Sequence, residues 1–323
     1  MDKFEVVNIE TFGDLWQVYI TNQLSSLQPQ TQRNREELAK FFDGITAIPL
    51  KDFTSELMSQ YLTFKKQRCV KNKNHKRKSF DNELKLLRTV FNWYREHFDY
   101  RFVVPITKAH WKLSRITSEK KTINKMNEHE LIRFLNAIDS EVFRDLAIFQ
   151  FLLALRVQEA AGVRFESIDL DKATVLIKDV IVWGRNKRFE SLKEVPKNGE
   201  IRCCHLSNEL LDIVKRRFQY LDKEHGLVFH DRGHPLSYRA IQYHYNKALK
   251  KVGLYGKFSS THFIRHSMAT LTRIHCGSLE VVQAVTGHKD QKLVQHYAKF
   301  APSNHQKMAV NLLSEKLAAL SSL

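Results

Sequence analysis

The sequence predicts a mainly α-helical chain with one small antiparallel β-sheet, divided into two domains. Three observations lead there. At 323 residues the chain is long for one domain, and its 43% hydrophobic content is enough for ordinary globular cores. Apolar residues recur at helical spacing through residues 8–100 and again from Asn127. Only 173–206 changes character, with β-branched apolar runs and an Asn198-Gly199 pair, the strongest short hairpin signal.

The elements follow in order. Phe12, Leu15, Trp16 and Tyr19 share a helical face, as do Leu38, Phe41 and Phe42, and then Phe53, Leu57, Tyr61 and Phe64. Phe80–His97 carries Leu84, Leu87, Val90, Phe91 and Tyr94 on one side. These segments define a helical domain over 1–105. Between its last two helices lies KKQRCVKNKNHKRK, residues 65–78, with Lys65, Lys66, Arg68, Lys71, Lys73, Lys76, Arg77 and Lys78 and no acid. Such a run is most simply a solvated loop, but its uncompensated charge favours phosphate contact without base specificity.

Residues 106–125 are basic, follow Pro105 and show little periodicity, as expected of an interdomain linker lying along DNA through residues such as Lys112 and Arg115. A second domain is expected over 126–305. NEHE at Asn127 offers a helix start before Leu131, Phe134 and Leu135, and helix continues through Asp145–Arg156. Ala173–Ile177 and Val180–Trp183 are strand candidates, and helices resume at Asn208. Residues 306–323 form a C-terminal helix or tail with Met308, Leu312, Leu313, Leu317 and Leu320 on an apolar stripe. No repeat or low-complexity tract interrupts the chain.

With 52 Lys and Arg against 35 Asp and Glu, the net charge of +17 implies a polyanionic partner, nucleic acid before an acidic membrane surface. No apolar run approaches the ~20 residues of a membrane span. The longest, Ala147–Leu155, is interrupted by Gln150 and suits a buried helix. The N-terminus carries acids where a signal peptide would be basic and then apolar. Cys69, Cys203, Cys204 and Cys276 show no CxxC spacing and read as reduced thiols of a cytoplasmic protein.

THFIRHSMAT, residues 261–270, sets His262, Arg265 and His266 on one helical face among apolar neighbours. A solvated basic stripe, a metal site and a phosphate site compete. Ser259, Ser260 and Thr261 are N-cap residues, so the face begins where free N–H groups favour an anion. Arg265 would repel a metal, its fork suits phosphate oxygens, and HxxRH lacks the acidic base of an HExxH zinc site. His266, one turn on, has a structural role as its simpler reading.

Four further signals are each weak alone. Arg156 and Glu159, three apart in LALRVQEAAGV, could be no more than a structural ion pair. Lys197, before the Asn198-Gly199 turn, could be an exposed lysine. Lys187, in GRNKRF, competes with it. Gly287-His288 is followed nine residues later by Tyr297, and a lone helical tyrosine is usually a packing residue.

Their order is more informative. Arg156, Lys197, His262-x-x-Arg265, Gly287-His288 and Tyr297, with RHSMAT and VVQAVTGH intact, resemble the signature of the tyrosine recombinase (integrase) family over nearly the whole chain. The departures are Ala154-Leu155-Arg156 for a TGLR-like context, Thr286-Gly287-His288 for LGH, and a longer sheet connection. The lysine–turn–strand–helix order favours Lys197 over Lys187.

The resemblance implies a helical core-binding (SAM-like) domain and an α+β catalytic domain that together clamp DNA in a C shape. It implies a compact, Xer-like member with no arm-binding domain before residue 8. It implies site-specific recombination of double-stranded DNA through a 3′-phosphotyrosyl intermediate. Tyr297 is then the nucleophile, and Arg156, Arg265 and His288 bind the phosphate. His262 is the base, Lys197 the proton donor to the leaving oxygen, and Glu159 a supporting residue. No metal or other cofactor is implied. A tetramer is, with the tail docking on a neighbouring protomer, and a second recombinase or accessory protein is compatible with it. A type IB topoisomerase, an inactive DNA-binding relative and a metal-dependent nuclease are the rival classes.

Overall fold

A computed structural model describes residues 8–72, 77–116, 125–194, 201–220, 224–258 and 261–287. The chain divides into two units, Met1–Lys121 and Thr122–Leu323.

The first unit is helical: α1 (Phe12–Tyr19), a π-helical turn (Ile20–Leu24), α2 (Pro29–Ala39), α3 (Ser55–Lys71), α4 (Asp81–His97) and α5 (Lys108–Leu113). Thr11 starts α1 by reciprocal capping. Its backbone N–H donates to the Asp14 carboxylate at 2.8 Å, and its hydroxyl accepts from Asp14 N–H at 3.2 Å. The predicted apolar faces meet in one core, where the Phe12 ring lies 5.2 Å from Phe42 and 5.4 Å from Phe91, except that Phe64, near the end of the Phe53 face, is exposed.

Two expectations change here. The segment expected as a linker begins as part of this unit. Ile106 is buried, and α5 is fixed by His110, whose Nδ1 accepts from Thr107 N–H at 2.9 Å while Nε2 lies 3.0 Å from the Ser55 carbonyl. Ser114 donates to Asp81 at 2.6 Å, and Ile116 N–H to the Lys78 carbonyl at 2.9 Å. The remainder, 117–124, lies outside the described residues.

The basic run is likewise not a loop throughout. Lys65, Lys66, Arg68 and Lys71 lie on the last turns of α3. Lys65 sits 5.2 Å over both the Phe41 and Tyr61 rings, and burial lowers its pKa. Arg77 pairs with Glu83 of α4, so its charge is compensated after all. Arg68, Lys71, Lys112 and Arg115 are exposed, whereas Lys73 and Lys76 lie outside the described residues.

The second unit contains α6 (Glu128–Asn136), α7 (Glu141–Leu152), α8 (Val157–Ala161), α9 (Asn208–Phe218), α10 (Tyr238–Lys251), α11 (His262–Cys276) and α12 (Leu279–Thr286). Its strands are β1 (Ile168–Asp169), β2 (Thr174–Ile177), β3 (Asp179–Trp183), β4 (Phe189–Glu194), β5 (Arg202–His205), β6 (His230–Asp231) and β7 (His234–Pro235). Asn127 caps α6 as its sequence predicts. The core gathers Phe134, Leu146, Phe149, Leu210, Phe229, Ile241, Tyr245, Phe263 and Ile264. Gln150 is buried in α7. Its amide donates to the Thr261 carbonyl at 3.2 Å and its oxygen accepts from Tyr245 at 3.3 Å, tying α7 to the start of α11.

The pairing between these strands is antiparallel. β1, β2 and β5 form one sheet, with Val175 opposite Cys204 and Ile177 opposite Arg202. β3 and β4 form a separate hairpin with Ile181 opposite Leu192, turning through Gly184–Arg188. β4 was not foreseen, because FESLKE is polar. The Asn198-Gly199 turn lies outside the described residues, as does the tail from 306. No helix among the described residues is long and apolar enough to cross a membrane.

α8 abuts β3 so closely that a Cβ on Gly162 would lie 2.9 Å from both Ile181 N and Val180 Cα and 3.0 Å from Asp179 O. All three are backbone atoms, so neither side can yield cheaply. Gly162→Ala should destabilise the protein by about 1–3 kcal/mol. Gly184→Ala, whose nearest neighbour is the Glu190 carboxylate at 3.5 Å, should change stability by less than about 0.5 kcal/mol. Urea unfolding of both variants checks the contrast.

Candidate active site

The helix expected over Asp145–Arg156 is broken. α7 ends at Leu152, the chain turns with Ala154 at φ +47°, and Arg156 becomes the N-cap residue of α8. A left-handed backbone at a residue with a Cβ is costly and has to be held in place. It is held by Leu155 N–H, which donates to the Gln150 carbonyl at 2.9 Å, and by Arg265, which donates to the Ala154 carbonyl. The break turns Arg156 and Glu159 into a closed pair. Arg156 N–H donates to Glu159 Oε2 at 2.9 Å, and its Nη1 to Oε1 at 2.6 Å. The Arg156 side chain is 24% exposed and that of Glu159 only 1%.

Arg265 comes from α11 and is 3% exposed. Besides the Ala154 carbonyl, it donates through Nη2 to the Thr286 carbonyl at 2.5 Å, and it lies 3.9 Å from Glu159. It thus joins the turn before Arg156 to the end of α12, where Gly287 at φ +64° closes the helix. Arg202 of β5 also donates to Glu159 Oε2, at 3.0 Å. Burial pushes the Glu159 carboxyl up, but Arg202 and Arg156 outweigh it and hold the group below the usual carboxylate range. Three guanidinium groups share one carboxylate, and the cluster keeps an excess of positive charge.

His262 opens α11 beside this cluster. The residue is exposed at the surface, yet neighbouring groups partly desolvate its ring. That desolvation, with the Arg265 and Arg156 charges, lowers its pKa. His266 stands on the same face, its ring 6.3 Å from that of His262, and burial lowers its pKa to about 4. The Thr261 side chain makes no cap bond to α11, in contrast to the expectation for an N-cap threonine, and Ser259 and Ser260 lie outside the described residues.

The structure therefore brings together Arg156, Glu159, His262 and Arg265. Lys197, His288 and Tyr297 lie outside the described residues. Lys187 occupies the β3–β4 turn at φ +59°, with its ammonium 5.2 Å over the Tyr238 ring. No cluster of three or more metal-binding side chains occurs among the described residues. Sequence reasoning missed Arg202. Its signal was strand alternation, since Arg202 and Cys204 face the buried Ile177 and Val175 across β2.

Between about pH 4 and 6.5 the unfolded chain binds a proton at residue 266 that the folded chain refuses. Stability at this residue is therefore lost as pH falls through that window. His266→Gln should flatten the decline, and urea midpoints of wild type and variant across the window check it.

The phage integrase family model matches residues 122–304. Tyrosine recombinase XerC of Halalkalibacterium halodurans is 28% identical over 191 residues, covering 55% of this chain and 58% of that relative. The chain thus spans little more than half of that curated relative's length. The solved structure of the Tn1549 transposon integrase in complex with a circular intermediate DNA is similar at a TM-score of 0.75 and 14% identity, covering 94% of this chain and 100% of that one. The XerH site-specific recombinase bound to a palindromic difH substrate is similar at 0.62 and 16%, covering 92% and 94%. These structural likenesses establish a shared fold.

Proposed function

This chain belongs to the phage integrase family, and from that premise we propose that it is a site-specific DNA recombinase acting through a 3′-phosphotyrosyl intermediate. The observation that carries the reading is the arginine cluster around Glu159. Side chains from α8 and α11, far apart in sequence, converge there beside the turn that leads to His288.

A phosphodiester resists attack because its own charge repels nucleophiles. Arg156, the more exposed guanidinium, meets a non-bridging oxygen, and Arg265 adds positive charge at close range. His288 is the third donor. The Tyr297 hydroxyl gives its proton to His262, which desolvation and the neighbouring arginines keep neutral and able to accept it. Tyr297 Oη bonds to phosphorus, the bond from phosphorus to the 5′-oxygen breaks, and Lys197 protonates that oxygen. The phosphotyrosyl ester conserves the bond energy, so a second 5′-hydroxyl can reverse the step without a nucleotide or a metal.

In this reading the first unit binds the duplex, with Arg68, Lys71, Lys112 and Arg115 as exposed phosphate contacts. Both units bind the same DNA, four protomers synapse, and 306–323 docks on a neighbour. The enzyme works in the cytoplasm on the nucleoid.

Covalent trapping tests the proposal. The protein is incubated in EDTA with nicked duplexes spanning the DNA that flanks its own coding sequence, then run on a denaturing gel. Wild type should give a protein–DNA adduct and Tyr297→Phe none, and Arg156→Gln should slow its formation by about 10²–10³-fold. Tight binding with no adduct would leave only a DNA-binding protein. An adduct surviving Tyr297→Phe would move the nucleophile. Relaxation of supercoils without exchange between sites would indicate a topoisomerase.

A further inference from the structure

Arg202 has no part in the chemistry above, yet it lies at its centre. β5 turns its side chain inward, and it is 15% exposed. On one flank its Nη2 donates to Glu159 Oε2 at 3.0 Å. On the other, the side chain packs close against Gly287. A Cβ built on that glycine would stand 2.9 Å from Nη1, 3.3 Å from Cδ and 3.5 Å from Cζ. Gly287 ends α12, and the next residue is His288. One side chain therefore touches both the carboxylate that orients Arg156 and the turn that hands the chain on to His288.

Arg156 already occupies Glu159 Oε1, so without Arg202 the second oxygen would keep only the Arg156 backbone N–H as a close donor among the described residues. Against the burial that raises the Glu159 pKa, the Arg202 charge is the largest single influence lowering it, while Arg156 acts through its backbone N–H, its charge and its side-chain hydrogen bond together. A lysine could supply the charge. With a single nitrogen, it could not place one donor on the carboxylate and a second against the glycine at the same time.

We propose that Arg202 is a positioning residue for the phosphotyrosyl reaction, clamping Glu159 on one side and backing the Gly287 turn on the other, so that Arg156 and the C-terminal end of α12 keep one relative placement. The chemical part rests on the recombinase reading; the geometric part does not.

The test uses full-length Arg202→Gln and Arg202→Lys with the nicked duplex described above. In Arg202→Gln, adduct formation at saturating DNA should slow by about 10–100-fold, with half-saturation changing less than about two-fold. The acid limb of its pH profile should move to higher pH, because Glu159 loses the cation that holds it ionised. Arg202→Lys should restore the acid limb and only part of the rate. A loss of affinity equal to the loss of rate, with the acid limb unmoved, would make Arg202 a simple phosphate contact and overturn the proposal. Amide hydrogen exchange without DNA is the second readout. Residues 279–287 should exchange faster in Arg202→Gln than in wild type, and unchanged protection would also overturn it. Should Arg202→Gln not fold, the slowed adduct formation at unchanged half-saturation and the faster 279–287 exchange are read in Arg202→Lys, and wild-type values for both would overturn the proposal. If wild type forms no adduct, the recombinase reading fails, and exchange alone decides whether Arg202 holds the turn.

Discussion

A carboxylate that is 1% exposed cannot stay ionised unless cations surround it, and Glu159 is surrounded by three arginines. Four elements are arranged by that requirement. α8 carries Glu159 with Arg156, β5 supplies Arg202, α11 supplies Arg265, and the end of α12 rests on the last two. Removing one partner of such a buried pair typically costs about 3–5 kcal/mol, because it leaves an uncompensated charge. Here the loss of Glu159 would also leave like charges packed together. The converse matters for function. One carboxylate does not neutralise three guanidinium groups, so the cluster remains electrostatically incomplete until an anion such as a phosphodiester arrives.

The rest of the second unit keeps that cluster in place. Gln150 ties α7 to the carbonyl of Thr261, and Ser267 of α11 accepts the Met126 N–H at 2.7 Å. α11 is thus anchored on both sides of Arg265. The two carbonyls that Arg265 reaches belong to residues 132 positions apart in sequence (286 − 154), so one buried side chain fixes both turns of the site. A guanidinium used in this way spends two of its donors on the backbone. In this arrangement Arg265 is as much a structural staple as a phosphate ligand, and Arg156 is the freer of the two.

The helices of both units and their apolar faces were legible, since 3.6-residue periodicity is local information. So were the His262, Arg265, His266 face and the spacing of Arg156 and Glu159. What stayed hidden was long-range. Nothing in FLLALRVQEA marks a helix break, because Ala154 takes its left-handed turn only where Arg265 arrives to hold its carbonyl. The charge of Arg77 looked unopposed until Glu83 was placed beside it. The segment 106–116 looked aperiodic because α5 is short and fixed by polar contacts, through His110 and Ser114, more than by an apolar stripe. Arg202 was readable only once Ile177 was known to be its partner in the sheet.

The titration states at the site divide its labour. Its positive field comes from arginines, which stay charged at any working pH. The histidines beside them are held neutral by desolvation first and by that same field second, His262 below its ordinary 6.5 and His266 near 4. A histidine kept neutral by its neighbours is a poorer base than a free imidazole, but it is in the accepting form across the neutral range. The proposed tyrosine attack needs both properties together, since charge on the phosphate must be offset while a proton is removed nearby. A site built the other way, with histidinium supplying the field, would lose it as pH rose through the histidine pKa. It could accept no proton while it lasted. Separating the two tasks between residue types lets the field and the base act at the same pH.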